Sequence, residues 1–306
     1  MRPVRLVLIG QGPFCARVLE GLAGRGDEVV AAYTAPDPGR SAPVVEAARK
    51  AGVPVFQPAS MRTAEVYEQV SSLKPDLGVM AFVTDIVPGN ILECPRLGTI
   101  EYHPSLLPRH RGASAINWAI IQGEKRTGLT IFWVDRGIDT GPVLLQKEVD
   151  IGPDDTVGSI YFNKLLPLGV EALLEAVSLV KAGKAPRTPQ DGRLATYEPP
   201  CEEKHALIDW RLPVDRVYDL IRGTNPHPGA TTYFRKGKLK LYDSEKVPGV
   251  GGGPGEVVEV GEKGFAVASA GGAILLKRVQ PEGAGKQPAA DFARQVALTP
   301  GERLGG

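Results

Sequence analysis

Short apolar runs alternate with segments of helical periodicity through the first third of the chain. The runs at residues 6–9, 29–33 and 77–82 consist of aliphatic, aromatic and small side chains. Strands with such continuous apolar sequence are buried on both faces, which is typical of parallel sheets covered by helices. The alternation therefore predicts an α/β fold with a mainly parallel sheet.

The first apolar run ends at Gly10, Gln11 and Gly12, where a dinucleotide-binding loop would begin. That motif needs a third glycine, whose place is taken by Cys15, and an acidic residue directly after the second strand, where this chain has none. We interpret the glycines as a tight turn from strand to helix, and we expect no NAD(P).

A change in composition predicts two domains. Residues 186–206 are rich in proline, charge and turn-forming side chains, which indicates a linker between a domain at 1–185 and one at 207–306. In the first domain, the helical stretch 157–184 contains Pro167, which should kink or split it. In the second, strand-like runs separated by glycine-rich turns predict a small β-rich domain.

Composition excludes several classes of protein. The chain has 36 Lys and Arg against 35 Asp and Glu, so it is not a strongly basic nucleic-acid coat, and we expect no DNA partner. Cys15, Cys94 and Cys201 are too far apart for a disulfide framework or a zinc knuckle, which favours a reducing, cytoplasmic location. No apolar run approaches about 18 residues, so we expect no membrane span.

One predicted strand of the second domain carries a basic cluster, formed by Arg235, Lys236, Lys238 and Lys240. We interpret it as a solvated edge strand whose lysines prevent aggregation. Contact with RNA or another polyanion is the alternative.

The densest group of candidate catalytic side chains lies between residues 101 and 141. His103 follows an apolar strand at its carboxyl end, where open α/β sheets bind ligands. Asp139 lies between Gly137 and Gly141, so a tight turn presents its carboxylate. An imidazole and a carboxylate can transfer protons near pH 7 and stabilise an oxyanion. The alternatives are a core histidine hydrogen-bonded to a distant aspartate, or Ser105 as a nucleophile beside His103.

This region contains two long motifs, and several short motifs lie elsewhere in the chain. The long motifs are His-Pro-Ser-Leu-Leu-Pro-Arg-x-Arg-Gly-Ala at 103–113 and Gly-Ile-Asp-Thr-Gly at 137–141. The short ones lie at 80–83, 208–210, 225–230 and 300–304. Together they resemble the 10-formyltetrahydrofolate-dependent formyltransferase family over nearly the whole chain. The resemblance implies a Rossmann-like α/β formyltransferase domain that binds formylated folate and a small, OB-like β-barrel as the C-terminal domain.

The resemblance also implies roles for specific residues. His103 would hydrogen-bond the formyl oxygen, and Asp139 would orient and deprotonate the nucleophile. The formyl donor would be 10-formyltetrahydrofolate, with no metal and no NAD(P). The implied folate-binding residues are Met80, Ala81, Phe82, Val83, Ser105, Leu106, Leu107, Pro108, Arg109, Gly137 and Ile138.

Two departures from the family pattern bear on the formyl acceptor. The transferases have Asn two residues before the histidine, where this chain has Glu101, a further catalytic candidate. An ionised Glu would repel an oxyanion, so Glu101 must be protonated, rotated away or recruited as a second base. The segment 36–43, where tRNA-formylating members insert a basic loop, has one Arg and one Asp.

The residues around the histidine favour one acceptor. Within the family, the block 102–118 is most similar to the hydrolase domain of 10-formyltetrahydrofolate dehydrogenase. We therefore expect water as the formyl acceptor. The alternatives are the amine of initiator methionyl-tRNA, which would make this tRNA a partner, an amino-sugar amine, and a folate-binding protein without activity.

Overall fold

The computed structural model describes residues 4–84 and 86–305. The outermost residues of the two predicted domains, 1–3 and 306, lie outside the described residues. The chain divides into two compact units. The first unit contains residues up to 112, 128–149 and 163–197, and the second contains 113–127, 150–162 and 198 onward. The predicted linker bounds at 186 and 206 stay a prediction.

A seven-stranded sheet forms the centre of the first unit. The strands of this unit are β1 (Arg5–Gly10), β2 (Glu28–Tyr33), β3 (Val55–Phe56), β4 (Leu77–Ala81), β5 (Thr99–His103), β6 (Arg111–Gly112), β7 (Arg126–Trp133), β8 (Val143–Asp150) and β9 (Tyr197–Glu198). The sheet order is β3-β2-β1-β4-β5-β7-β8, while β6 pairs with β9. The first five strands of this order run parallel, and β7 runs antiparallel to β5. The predicted α/β architecture with a mostly parallel sheet is confirmed.

Burial explains why the apolar runs form the central strands. All of β4 is buried, and so is all of β1 except its first residue. The two strands also approach closely at their carboxyl ends. A Cβ on Gly10 would lie 2.0 Å from the carbonyl oxygen of Ala81, so only glycine allows this approach.

Nine helices are present among residues 4–84 and 86–305. They are α1 (Gly12–Gly24), α2 (Pro38–Ala51), α3 (Ala64–Ser72), α4 (Gly89–Leu92), α5 (Ala115–Ile121), α6 (Val157–Ile160), α7 (Leu166–Lys181), α8 (Val214–Gly223) and α9 (Ala289–Gln295). A π-helical turn separates α6 from α7, and Pro167 lies in the first turn of α7, where its missing N–H costs no helical hydrogen bond. The α-helix predicted to kink or split is interrupted by this π-helical turn just before Pro167, while the helical conformation continues from 157 to 181. None of these helices is both long and apolar enough to cross a membrane.

Two antiparallel sheets and an apolar core form the second unit. Its strands are β10 (Ala230–Phe234), β11 (Gly237–Leu241), β12 (Ser244–Pro248), β13 (Val257–Gly261), β14 (Gly264–Ser269), β15 (Gly272–Leu276), β16 (Arg278–Pro281) and β17 (Gln287–Pro288). The sheet orders are β10-β11-β16-β17 and β12-β15-β14-β13. Trp210, Phe265 and Phe292 belong to the core of this unit. The closed, OB-like barrel stays a prediction.

The basic cluster lies on β11 and in the turn before it. Its predicted edge position is wrong, because β11 pairs with β10 on one side and β16 on the other. Lys238 and Lys240 lie 3.0 and 2.6 Å from the Glu203 carboxylate and hold its pKa at about 2, and Arg235 pairs with Glu302. Two carboxylates therefore pair with three of the four cations and offset half of their charge, which weakens the attraction of this cluster for a polyanion.

A close contact on α7 gives a stability test for the first unit. A Cβ on Gly169 would lie 2.6 Å from the ring of Tyr102 and 2.8 Å from the ring of Phe14. Gly169→Ala should therefore lower the free energy of unfolding by about 1–3 kcal/mol through overpacking, measured by urea unfolding. Gly24→Ala, at a helical position with open space, is the control and should not lower it. Equal unfolding midpoints for the two variants would contradict this packing.

Candidate active site

The candidate catalytic side chains lie at the carboxyl end of β5. Successive side chains of a strand point to opposite faces, so Glu101 and His103 share one face. In the sheet, Met80 of β4 lies opposite Glu101, and Ala81 lies opposite Gly10 of β1. The parallel pairing therefore brings the loops after β1, β4 and β5 to one edge of the sheet, where α/β proteins bind ligands.

His103 is held in one tautomer by a backbone carbonyl. Its Nε2 lies 2.7 Å from the carbonyl oxygen of His110. A carbonyl can only accept a hydrogen bond, so Nε2 carries the hydrogen and donates. Its Nδ1 lies 3.6 Å from Oδ2 of Asp139, and both side chains are about nine-tenths buried. Nδ1 is thus the nitrogen that can exchange a proton with Asp139 or with a substrate.

Hydrogen bonds in the loop 135–141 orient Asp139. Its backbone is left-handed, with φ of 54°, and its Oδ2 accepts a hydrogen bond of 2.7 Å from the N–H of Gly112. Asp135 Oδ1 accepts hydrogen bonds from the Gly137 N–H at 3.0 Å and the Thr140 hydroxyl at 2.6 Å. Left-handed backbone is unfavourable for a side chain with a Cβ, and these bonds offset that cost. The loop therefore holds the carboxylate toward the imidazole.

The carboxyl group of Glu101 has a pKa well above the usual value for glutamate. Burial raises its pKa to about 8, and the negative charge of Asp139 contributes to the rise. At pH 7 the carboxyl group is therefore mostly protonated and can donate a hydrogen bond, whereas an ionised Glu could only accept one. Of the three states that the sequence leaves open for Glu101, the electrostatics of the site favour the protonated acid.

Buried side chains tie down the loop between β5 and β6. The Ser105 hydroxyl donates to the Arg109 carbonyl at 2.7 Å, and the Thr130 hydroxyl donates to the Ser105 carbonyl at 2.7 Å. The Leu107 N–H donates to Thr130 Oγ1 at 3.1 Å, and the Gln146 amide donates to the Leu107 carbonyl at 2.8 Å. Ser105 is fully buried with its hydroxyl engaged, which fits a structural role better than that of a nucleophile.

The sequence analysis misses Gln190, which lies in the segment predicted as a linker. Its amide nitrogen donates to the carbonyl oxygens of Asp139 at 2.9 Å and Gly141 at 2.7 Å. Its amide oxygen accepts hydrogen bonds from Arg111, at 3.2 Å from Nε and 2.7 Å from Nη2. Gln190 therefore connects the Asp139 loop to the 110–112 segment, a long-range contact for which the local sequence carries no signal.

The predicted folate-binding residues differ in exposure. Met80, Ala81, Ser105 and Leu107 are buried, Phe82, Val83, Leu106 and Pro108 are partly buried, and Arg109, Gly137 and Ile138 are exposed. The last two groups can contact a ligand directly, and their assignment to folate stays a prediction. Across residues 4–84 and 86–305, no group of three or more His, Cys, Asp and Glu side chains is placed to hold a metal ion.

Comparison with known families identifies the family to which the chain belongs. Residues 4–177 match the family model described as "Formyl transferase", and residues 201–297 match "Formyl transferase, C-terminal domain". The chain belongs to the formyltransferase family. This confirms the family identified from the sequence motifs, and it makes the chain an enzyme of formyl transfer.

Two kinds of formyltransferase-family relatives and one solved structure illustrate the match. The methionyl-tRNA formyltransferase of Geobacter sulfurreducens is 38% identical over 312 residues, which cover 100% of this chain and 98% of that protein. The mitochondrial 10-formyltetrahydrofolate dehydrogenase of Mus musculus is 43% identical over 247 residues, which cover 79% of this chain and 27% of that protein. The structure of HypX from Aquifex aeolicus in complex with tetrahydrofolic acid matches with a TM-score of 0.72 at 20% identity. The match covers 96% of this chain and 47% of the HypX chain, and it shows a shared fold.

Replacing Gln190 tests whether it positions the Asp139 loop. Gln190→Ala should lower kcat by about 10- to 100-fold, because the carboxylate loses its orientation, while the KM for the folate changes little. Gln190→Glu keeps the acceptor for Arg111 but loses both donors, so it should fall between Gln190→Ala and the unaltered enzyme. Gln295→Ala, an exposed position in the second unit, is the control for a surface amide. A folded Gln190→Ala protein with unchanged kcat would contradict the positioning role.

Proposed function

We propose that this protein transfers the formyl group of 10-formyltetrahydrofolate to the amine of methionyl-tRNA. The observation that supports this acceptor is a full-length match, at 38% and 39% identity, to proteins named methionyl-tRNA formyltransferase. The match includes the C-terminal family domain at 201–297. Water, the acceptor expected from the sequence motifs, becomes the second candidate.

Specific observations keep hydrolysis as that second candidate. The mouse relative with 43% identity is named a 10-formyltetrahydrofolate dehydrogenase. The two lysines of β11 share the Glu203 carboxylate, and segment 36–43 carries one Arg and one Asp, so both regions supply few free cations to a tRNA backbone. The two candidates share the donor and the candidate catalytic residues, and they differ only in the nucleophile.

The proposed folate site uses the loops that follow β4 and β5. Phe82 and Val83 follow β4, and Leu106 and Pro108 follow β5; all four are partly buried at the edge that carries Glu101. Ile138, 60% exposed in the Asp139 loop, adds an apolar surface of the kind that a ligand covers. These side chains would contact the pteridine and its linker.

The proposed mechanism assigns one task to Glu101 and another to the pair of His103 and Asp139. The acceptor nitrogen attacks the formyl carbon, and the carbonyl oxygen becomes an oxyanion. His103, the donor to this oxygen that the resemblance implies, has its Nε2–H engaged by the His110 carbonyl. We therefore assign this hydrogen bond to the protonated carboxyl of Glu101, the task that the amide of Asn performs in the family pattern. The amine proton passes to the carboxylate of Asp139 or to Nδ1 of His103, and then to N10 of the folate as the carbon–nitrogen bond breaks.

An acceptor assay tests the proposed function directly. The enzyme is given 10-formyltetrahydrofolate alone or with charged initiator tRNA, while tetrahydrofolate release and formylated tRNA are both followed. We expect release to depend on the tRNA and to match its formylation. Asp139→Asn should lower this rate about 100-fold or more while folate binding persists. Equally fast release without tRNA would establish hydrolysis instead.

The pKa of Glu101 gives a pH test. Because the raised pKa leaves the acid protonated below about pH 8, kcat/KM should fall as the pH rises through that value. Glu101→Gln keeps a donor that cannot ionise, so it should retain activity within about 10-fold at pH 7 and show no decline through pH 8. A decline of the same size in Glu101→Gln would contradict the assigned role.

A further inference from the structure

The peptide between Arg109 and His110 is held at both ends by side-chain hydroxyl groups. The Ser105 hydroxyl donates a hydrogen bond to the Arg109 carbonyl oxygen at 2.7 Å. The N–H of His110 donates to Oγ1 of Thr196 at 2.8 Å. This carbonyl and this N–H belong to one planar peptide group, so the two hydroxyls together fix the orientation of its plane.

The peptide leads into a residue with an unfavourable backbone conformation. His110 has a φ of 54°, in the left-handed region that side chains with a Cβ rarely adopt. Such a conformation persists only where surrounding contacts stabilise it. The carbonyl oxygen of Thr196 also accepts a hydrogen bond from the N–H of Arg111, at 3.1 Å. Thr196 therefore binds the peptide groups on both sides of His110 and stabilises this left-handed turn.

The left-handed turn determines where the carbonyl of His110 points. Its oxygen lies 2.7 Å from Nε2 of His103 and 3.5 Å from the Ser105 hydroxyl. A change of φ at His110 to the right-handed value, near about −60°, would rotate this carbonyl and remove the acceptor of Nε2. The imidazole hydrogen would then be favoured on Nδ1, because the carboxylate of Asp139 lies 3.6 Å from that nitrogen.

We propose that Ser105 and Thr196 are positioning residues that set the tautomer of His103 through the carbonyl of His110. With the hydrogen on Nε2, Nδ1 keeps a lone pair that can accept the amine proton; with the hydrogen on Nδ1, it has none. Ser105 is fully buried, so it acts through His103 and not by contact with a substrate. The inference rests on the proposed function for the proton transfer, while the tautomer is a property of the enzyme without substrate.

NMR of the protein labelled with ¹⁵N at its histidines measures the tautomer directly. The chain has four histidines, and the His103 signals are assigned by their absence from the spectrum of His103→Gln. The spectra are recorded at about pH 7.5, above the ordinary histidine pKa of about 6.5. We expect the Nε2–H tautomer in the unaltered enzyme. Ser105→Ala and Thr196→Val should each shift the tautomer population toward Nδ1–H.

The same variants should lose turnover rather than folate binding. Each should lower kcat for tetrahydrofolate release about 10- to 100-fold, with little change in the KM for the folate, because Nδ1 no longer accepts the proton. Thr196→Ser keeps the hydroxyl and should keep both the Nε2–H tautomer and most of kcat. The two hydroxyls hold one peptide, so the double variant should lose less than the product of the two single losses.

A matched control separates this role from a loss of stability. The Thr99 hydroxyl donates to the Leu92 carbonyl at 2.7 Å, and Thr99 is 3% exposed at the opposite end of β5. Thr99→Val therefore also removes a hydroxyl that binds a backbone carbonyl. It should lower the unfolding midpoint and leave the His103 tautomer and kcat unchanged. Thr196 is only half-buried, so Thr196→Val keeps the test open if Ser105→Ala fails to fold.

Three results would overturn the inference: the Nδ1–H tautomer in the unaltered enzyme, an unchanged tautomer in folded Thr196→Val, or an equal shift in Thr99→Val. Its failure is distinguishable from failure of the proposed acceptor, since the spectra need no acceptor. Formylated tRNA together with an unchanged tautomer in Thr196→Val overturns the positioning role alone. A shifted tautomer in an enzyme that releases tetrahydrofolate without tRNA supports the positioning role and overturns the tRNA acceptor.

Discussion

One backbone segment, residues 110–112, holds both candidate catalytic side chains, and the geometry of the active site depends on it. The carbonyl of His110 accepts the hydrogen bond from His103, and the N–H of Gly112 donates to Asp139. Between them, the guanidinium of Arg111 is bound by the same amide that binds the backbone of the Asp139 loop. The imidazole of His103 and the carboxylate of Asp139 are thus hydrogen-bonded to the same short segment. A displacement of that segment would therefore disturb both side chains.

The chemistry of the site follows from the closeness of its ionisable side chains. Placing Glu101 on the same face of β5 as His103, close to the charge of Asp139, makes its ionised form unfavourable. The acid then supplies a hydrogen-bond donor where the family pattern has an amide. A carboxyl group in this place is therefore compatible with oxyanion stabilisation at neutral pH, and its presence does not by itself select water as the acceptor.

The sequence predicts the parts of the molecule whose signal is local. The apolar runs of β1 and β4 and the helix break near Pro167 are visible because burial and proline geometry act on neighbouring residues. The antiparallel direction of β7 and the interior position of β11 depend on strand pairing between distant segments, so local patterns do not reveal them. The same reason hides Gln190, which reaches the site from a segment that reads as an ordinary linker. The pKa of Glu101 likewise depends on burial, which a sequence does not show.

The protonation state of Glu101 is the central claim, and NMR of the protein labelled with ¹³C at the glutamate δ-carbons measures it most directly. The Glu101 resonance is assigned by its absence from the spectrum of the Glu101→Gln variant. The structure predicts a titration midpoint near pH 8 for this carbon, well above that of the exposed glutamates. A midpoint in the ordinary glutamate range, near about 4.3, would contradict the account, because an ionised Glu101 could not donate a hydrogen bond to the oxyanion.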